Sequence, residues 1–148
     1  VTGALLGRFL GLNVHPADLS IERDGRRRFT GDHAVRDALL AGERTIASTT
    51  HIVEGAVDGG RILAISAPIP VVIREGADLQ DRAVLAAAEE ENQERLKELG
   101  DWVVFPATVE DVARGRYAAD PAGLLHYDGV PIPNGFRHLG STTRSDPG

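Results

Sequence analysis

Phe9-Leu10-Gly11-Leu12-Asn13-Val14-His15, closed by Pro16, is the stretch on which the fold turns. It is short and apolar, and Pro16 bars its extension, so it reads as a buried strand that ends at His15. Alternate residues of a strand share a face, so Asn13 and His15 point the same way at the strand's C-terminal end. In open α/β sheets that end is where ligands bind. An amide beside an imidazole can hydrogen-bond a carbonyl oxygen as it gains negative charge. On spacing alone, a polar strand end with His15 in a turn is the simpler reading.

Outward from this strand, the order is strand, helix, strand pair, long helix and small hairpin. Residues 1–8 read as a helix end or a loop. Pro16 to Thr30 is polar and reads as a loop, with Asp24-Gly25 followed by Arg26, Arg27 and Arg28. Val35, Ala38 and Leu39 predict a helix over residues 31–41, with Gly42 as its stop. The β-branched run from Thr45 to Val53 predicts one strand. A glycine-containing turn, residues 54–60, leads to strands over 61–69 and 71–73, with Pro68 and Pro70 marking an edge or a bend. Leu79, Val84, Leu85, Ala88, Leu96 and Leu99 give residues 78–99 an apolar helical stripe with a charged outer face. A short helix is expected over 107–114, and Asp128-Gly129 signals a hairpin within 124–132. Residues 1–139 are expected to form one domain, and the polar stretch 140–148 a flexible tail.

The chain of 148 residues suits a single domain. At 42% hydrophobic and 26% charged it has an ordinary globular composition. A net charge of -6 argues against broad nucleic-acid binding. The absence of cysteine excludes disulfides, thiolate metal sites and cysteine nucleophiles, and fits a cytoplasmic location. No apolar run approaches the ~18 residues of a membrane helix. The chain holds no methionine, and the first strand lacks parallel neighbours of its own. Both lead to the expectation of a C-terminal portion with further strands before Val1.

Asp58-Gly59-Gly60 is the second place where chemistry is suggested. A carboxylate before two glycines sits where backbone can approach a ligand closely, although a plain turn is the simpler reading. His33 and His51 are each more ordinary as structural histidines. His15, His33, His51 and Asp58 lack tight ligand spacing such as HxH, so no metal is expected. The Arg26–Arg28 run reads as a solvated loop, or as a phosphate contact, with Arg27 the candidate. Of Glu89, Glu90 and Glu91, most should face solvent.

Taken in order, these pieces resemble the 10-formyltetrahydrofolate-dependent formyltransferase family, most closely the enzymes that formylate phosphoribosylglycinamide. Asn13-Val14-His15-Pro16 resembles the family's Asn-x-His-Pro strand end. Gly31-Asp32-His33 resembles its Gly-x-His turn. Thr49-Thr50-His51-Ile52-Val53 and Val57-Asp58-Gly59-Gly60 resemble its strand and Asp-Gly-Gly loop. Pro70-Val71 resembles the strand after that. Gly115-Arg116-Tyr117 and Tyr127-Asp128-Gly129 resemble its closing hairpin. The resemblance implies an α/β, Rossmann-type three-layer sheet, present as its C-terminal portion, with a long C-terminal helix and a small β-hairpin.

It also implies roles. Asn13 and His15 would polarise the formyl oxygen, and Asp58 would support the protonated histidine and assist proton transfer. Val53, Glu54, Gly55, Ala56 and Val57 would form the folate-binding turn, and Glu90 would contact the amine substrate. The implied reaction moves a formyl group from 10-formyltetrahydrofolate to a small-molecule primary amine, such as phosphoribosylglycinamide, through a tetrahedral intermediate. Neither metal, nucleic acid nor membrane takes part, and a homodimer is compatible with the family. The alternatives are hydrolysis of formyltetrahydrofolate and an inactive or partner-dependent module. Three features depart from the pattern. The family's N-terminal half is not matched. The segment from His15 to Gly31 is longer, with Ala17-Asp18-Leu19-Ser20 after Pro16. Val35 stands where some members have another histidine.

Overall fold

The structure, a computed structural model, describes residues 3–4, 11–55 and 58–139. Within them run β1 (Gly3–Ala4), β2 (Leu12–His15), β3 (Glu22–Arg23), β4 (Arg26–Arg27), α1 (Ala34–Leu40), β5 (Thr45–Ile46), β6 (Thr49–Ile52), β7 (Ile62–Ile65) and β8 (Ile69–Pro70). After these come α2 (Arg82–Leu96), a π-helical turn (Lys97–Asp101), α3 (Trp102–Ala113), β9 (Tyr117–Ala119), β10 (Leu125–Tyr127), β11 (Val130–Pro131) and β12 (Phe136–Arg137). The expected tail, 140–148, lies outside the described residues, as do 5–10. The backbone of Gly3–Ala4 pairs with β9, so that part of residues 1–8 is strand rather than helix end or loop.

The sheet that carries the candidate site is mixed, in the order β12-β7-β6-β2. β12 is parallel to β7, while β6 is antiparallel to both β7 and β2. β7 (Ile62-Leu63-Ala64-Ile65) is buried at every position, which explains its unbroken apolar run. β2 departs from its expected burial. It is an edge strand among the described residues, with Asn13 exposed and His15 buried.

β6 is polar yet wholly buried, and hydrogen bonds explain how. The Thr49 hydroxyl donates to the Ala17 carbonyl at 2.6 Å and accepts from the Leu19 amide at 3.1 Å. The hydroxyls of Thr50 and Thr108 meet at 2.8 Å. Successive side chains of β6 thus tie one face to the 16–30 segment and the other to α3.

Four more expectations are corrected. The Thr45–Val53 run is two strands, because the chain changes sheets at Ala47-Ser48: β5 pairs with β8, and β6 with β2 and β7. The 16–30 loop contains a hairpin, β3–β4. Its Asp24-Gly25 turn has both φ angles positive (53° and 74°), like Asp128-Gly129 in the β10–β11 hairpin (49° and 81°). That backbone matches the twist of paired strands. Residues 71–73 form no ladder strand, since the buried Asn92 side chain takes the partner's place. It accepts from the Val72 amide at 2.9 Å and donates to the Val72 carbonyl at 2.8 Å.

The two expected helices are one rod from Arg82 to Ala113, with the π turn at its middle. Asp81 caps it, accepting from the Ala83 and Val84 amides at 2.9 and 3.2 Å. Gly100, inside the π turn, is a contact residue. A Cβ there would collide with the Ser48 hydroxyl and lie 3.2 Å from Leu96 Cδ1. One apolar core joins α1 and α2 through Val35, Leu39, Ala88 and Leu96. A second joins the sheet to the closing hairpin through Leu63, Tyr117 and Tyr127.

Candidate active site

The β2–β6 register sets Asn13 opposite His51 and His15 opposite Thr49. The Asn13 amide lies 3.3 Å from His51 Nε2. His51 Nδ1 faces the Ile52 carbonyl at 3.1 Å. A carbonyl only accepts, so Nδ1 carries the proton and Nε2 accepts from Asn13. This uses one of the two amide hydrogens of Asn13.

His15 stands between two acceptors. Its Nε2 donates to the Phe29 carbonyl at 2.8 Å. Its Nδ1 lies 3.3 Å from Asp58 Oδ1. Only the imidazolium donates to both at once. His51 Nε2 is 3.8 Å from the same carboxylate oxygen.

Asp58 is 8% exposed, so its charge depends on its neighbours. Oδ2 accepts from the Gly31 amide at 2.9 Å, and the backbone carbonyl accepts from Arg27 Nη1 at 2.7 Å. Its φ is +55°. The left-handed region costs a non-glycine residue roughly 1–2 kcal/mol. A hydrogen bond to a charged group contributes about 1.5–3 kcal/mol, enough to offset that strain. The structure thus brings Asn13, His15 and Asp58 together, with His51 beside them.

The turn before Asp58 is braced. Arg61 donates through its backbone amide and Nε to the Glu54 carboxylate at 3.0 and 3.1 Å, which holds that carboxyl below its ordinary range. Arg61 Nη1 donates to the Gly123 carbonyl at 2.7 Å. Val53 is 60% exposed and Gly55 has a φ of +58°. Ala56 and Val57 lie outside the described residues. Arg27 and Arg61 also flank a hollow of about 340 Å³, walled by Leu124, Ile132 and Pro133.

Glu90 is not brought to this cluster. It lines a separate groove of about 420 Å³ with Val72, Ile73 and Arg74. Its neighbour Glu89 turns inward to pair with Arg36 at 2.9 Å and His33 at 3.4 Å. Among the described residues, no group of three or more His, Asp or Glu is placed to hold a metal ion. None of their helices is long and apolar enough to cross a membrane.

Asp101 is a site neighbour that carries no signal in the sequence. The π turn presents it to Ser48, whose hydroxyl donates to it, and to the field of His15. Nothing in its spacing marks it, because a π turn has no sequence signature comparable to a cap. Burial pushes the Asp101 carboxyl up, against the lowering effects of Ser48, His15 and Lys97. The folded chain therefore holds this proton more tightly than the unfolded chain. The stability the group lends is complete below the ordinary Asp range and is lost as pH rises through the folded value. At neutral pH the ionised form costs stability. Asp101→Asn still accepts from Ser48, so it should melt higher than wild type at pH 7, with the gap closing near pH 4. Thermal unfolding at both pH values checks this, and an equal gap at both would contradict it.

No family model matches the chain. Phosphoribosylglycinamide formyltransferase of Mycobacterium tuberculosis is 37% identical over 92 residues, covering 56% of this chain and 39% of that protein. The chain thus spans well under half the length of the curated relative it matches. Solved structures share its fold, two of them phosphoribosylglycinamide formyltransferases by name. The phosphoribosylglycinamide formyltransferase of Anaplasma phagocytophilum has a TM-score of 0.58 at 22% identity, over 86% of this chain and 52% of that one. The enzyme of that name from Coxiella burnetii has a TM-score of 0.54 at 19% identity, over 85% and 49%. Over that shared segment this chain is similar in sequence to a phosphoribosylglycinamide formyltransferase, and it shares the mixed α/β fold of two solved enzymes of that name.

Proposed function

We propose that this chain carries the catalytic portion of a formyltransferase. It would move a formyl group from 10-formyltetrahydrofolate to a primary amine, with phosphoribosylglycinamide the acceptor that its relatives' names favour. The observation that carries this reading is the buried Asp58 carboxylate 3.3 Å from the imidazole of His15, on the strand that also presents Asn13. The donor supplies the formyl group, and the chain's own groups do the rest. Asn13 has an amide hydrogen free of His51 for the formyl oxygen. His15 Nε2–H would serve the same oxygen by exchanging the Phe29 carbonyl for it. Asp58 balances the imidazolium and relays through water the proton that the attacking amine sheds, which ends on N10 of the donor as the bond from the formyl carbon to N10 breaks and tetrahydrofolate leaves.

The donor fits the exposed, glycine-containing turn at Val53, Glu54 and Gly55, and the proposal extends to Ala56 and Val57. Glu90 lines a separate groove, and Asp101, bonded to Ser48 next to Thr49 of β6, is the carboxylate proposed for the amine in its place. A small-molecule amine is thus the proposed partner.

The test is product analysis with the 148-residue chain, 10-formyltetrahydrofolate and the amine. Formylated amine should form together with tetrahydrofolate, and chelators should not reduce the rate. Formate released at the same rate without amine would replace transfer with hydrolysis. Absence of both turnover and calorimetric binding of a folate analogue would sink the reading.

A further inference from the structure

Asp58 is held from two directions by a single excursion of the chain. Between His15 and Gly31 the backbone runs out through the β3–β4 hairpin and returns. On the way, Arg27 Nη1 donates to the Asp58 carbonyl at 2.7 Å, and at its end the Gly31 amide donates to Asp58 Oδ2 at 2.9 Å. We propose that Arg27 is a positioning residue: its guanidinium, carried in on the hairpin, locks the left-handed backbone of Asp58 and so aims the carboxylate at His15.

The geometry supports this in three ways. First, Asp58 has a φ of +55°, a left-handed backbone that an aspartate adopts at some cost, so a bond to its carbonyl helps to hold it there. A return to negative φ would swing the carbonyl away from Arg27. It would also carry the carboxylate away from the Gly31 amide and from His15 Nδ1, 3.3 Å off. Second, the guanidinium is delivered on a defined element. The Asp24-Gly25 turn fixes the hairpin register, with Arg27 across from Glu22 and Arg26 across from Arg23. Third, Arg27 is distinguished from its neighbours. Arg26 and Arg28 are exposed, and Arg28 lies 5.1 Å over the Phe29 ring, whereas Arg27 is half-buried against Asp58. The inference rests on the transfer reading only for what Asp58 does, not for how Asp58 is held.

The experiment follows the Gly31 amide and the His15 ring resonances by NMR in the full chain, for wild type, Arg27→Met, Arg27→Lys and Asp58→Asn. Arg27→Met keeps an unbranched stem and removes the donor. It should shift both sets of resonances, as Asp58→Asn does, while the rest of the amide spectrum is preserved. Arg27→Lys, which can still donate, should return them towards wild type. In the transfer assay, Arg27→Met should lower kcat by up to about 10²-fold with KM little changed, the cost of a misplaced catalytic group.

Unmoved resonances in folded Arg27→Met overturn the proposal. If KM for a phosphate-bearing amine rises at the same time, Arg27 is a substrate contact instead. Should Arg27→Met fail to fold, Arg27→Leu takes its place: shifted resonances support the clamp and unmoved ones overturn it. If the resonances move in Arg27→Met but the wild-type chain transfers no formyl group, the clamp stands and the transfer reading falls.

Discussion

Asp58→Asn is expected to lower kcat/KM for formyl transfer by about 10²–10⁴-fold, the usual range for removing an acid–base group, without unfolding the chain. The fold should survive because Asn tolerates the left-handed backbone that Asp58 adopts. The Arg27 bond goes to the backbone carbonyl and is untouched, and the new amide oxygen can still accept from Gly31. What disappears is the negative charge 3.3 Å from His15 Nδ1. His15 then keeps the Phe29 carbonyl as a neutral acceptor but loses the group that balances an imidazolium. Steady-state kinetics beside a thermal melt separate the two effects. Near-normal turnover in a folded Asp58→Asn protein would remove Asp58 from the chemistry. A collapsed melt would make its role structural.

Gly60→Ala is expected to have the largest effect on stability, a loss of more than about 4 kcal/mol. A Cβ at this position would overlap the Ile52 carbonyl oxygen and lie 2.8 Å from the carbonyl carbon. Both atoms are backbone, so no side chain can rotate away. The close approach occurs where the chain turns from β6 into β7. There the Ile52 amide donates to the Arg61 carbonyl at 3.0 Å and the register slips between Thr50 and His51. To admit a methyl group, the two strands would have to part at the end that carries His51 and Asp58. Chemical denaturation should therefore show a large drop in midpoint or no folded baseline. A midpoint close to wild type would mean that the turn relaxes and that Gly60 is not a packing constraint.

How legible the fold is in the sequence differs from one feature to the next. Val35, Ala38 and Leu39 mark α1 because burial on one helical face leaves a periodic trace, and Gly42 marks its end. Asp128-Gly129 marks its hairpin because few residues accept two consecutive positive φ angles. The same pair at 24–25 reads as loop because no apolar alternation flanks it. The break at Ala47-Ser48 is hidden, since a strand that changes partners keeps its β-branched residues. The run through Gly100 and Pro106 reads as two helices because both residues usually end one. In fact the rod continues through both: the π turn absorbs Gly100, which the approach of Ser48 requires, and Pro106 lies inside α3.

For the site, the sequence by itself determined which groups are present and in what order: Asn13 and His15 two apart on a strand, then His51, then Asp58 before two glycines. Those facts are local and follow from the strand period and the demands of a tight turn. Only the tertiary structure decided that Asp58 reaches His15, that Asn13 donates to His51, that Arg27 holds the Asp58 carbonyl and that Glu90 does not join them. These contacts join residues at least 31 positions apart, and neither spacing nor propensity carries that information. It arises when buried charges must find partners, a condition that exists only once the chain has folded around them.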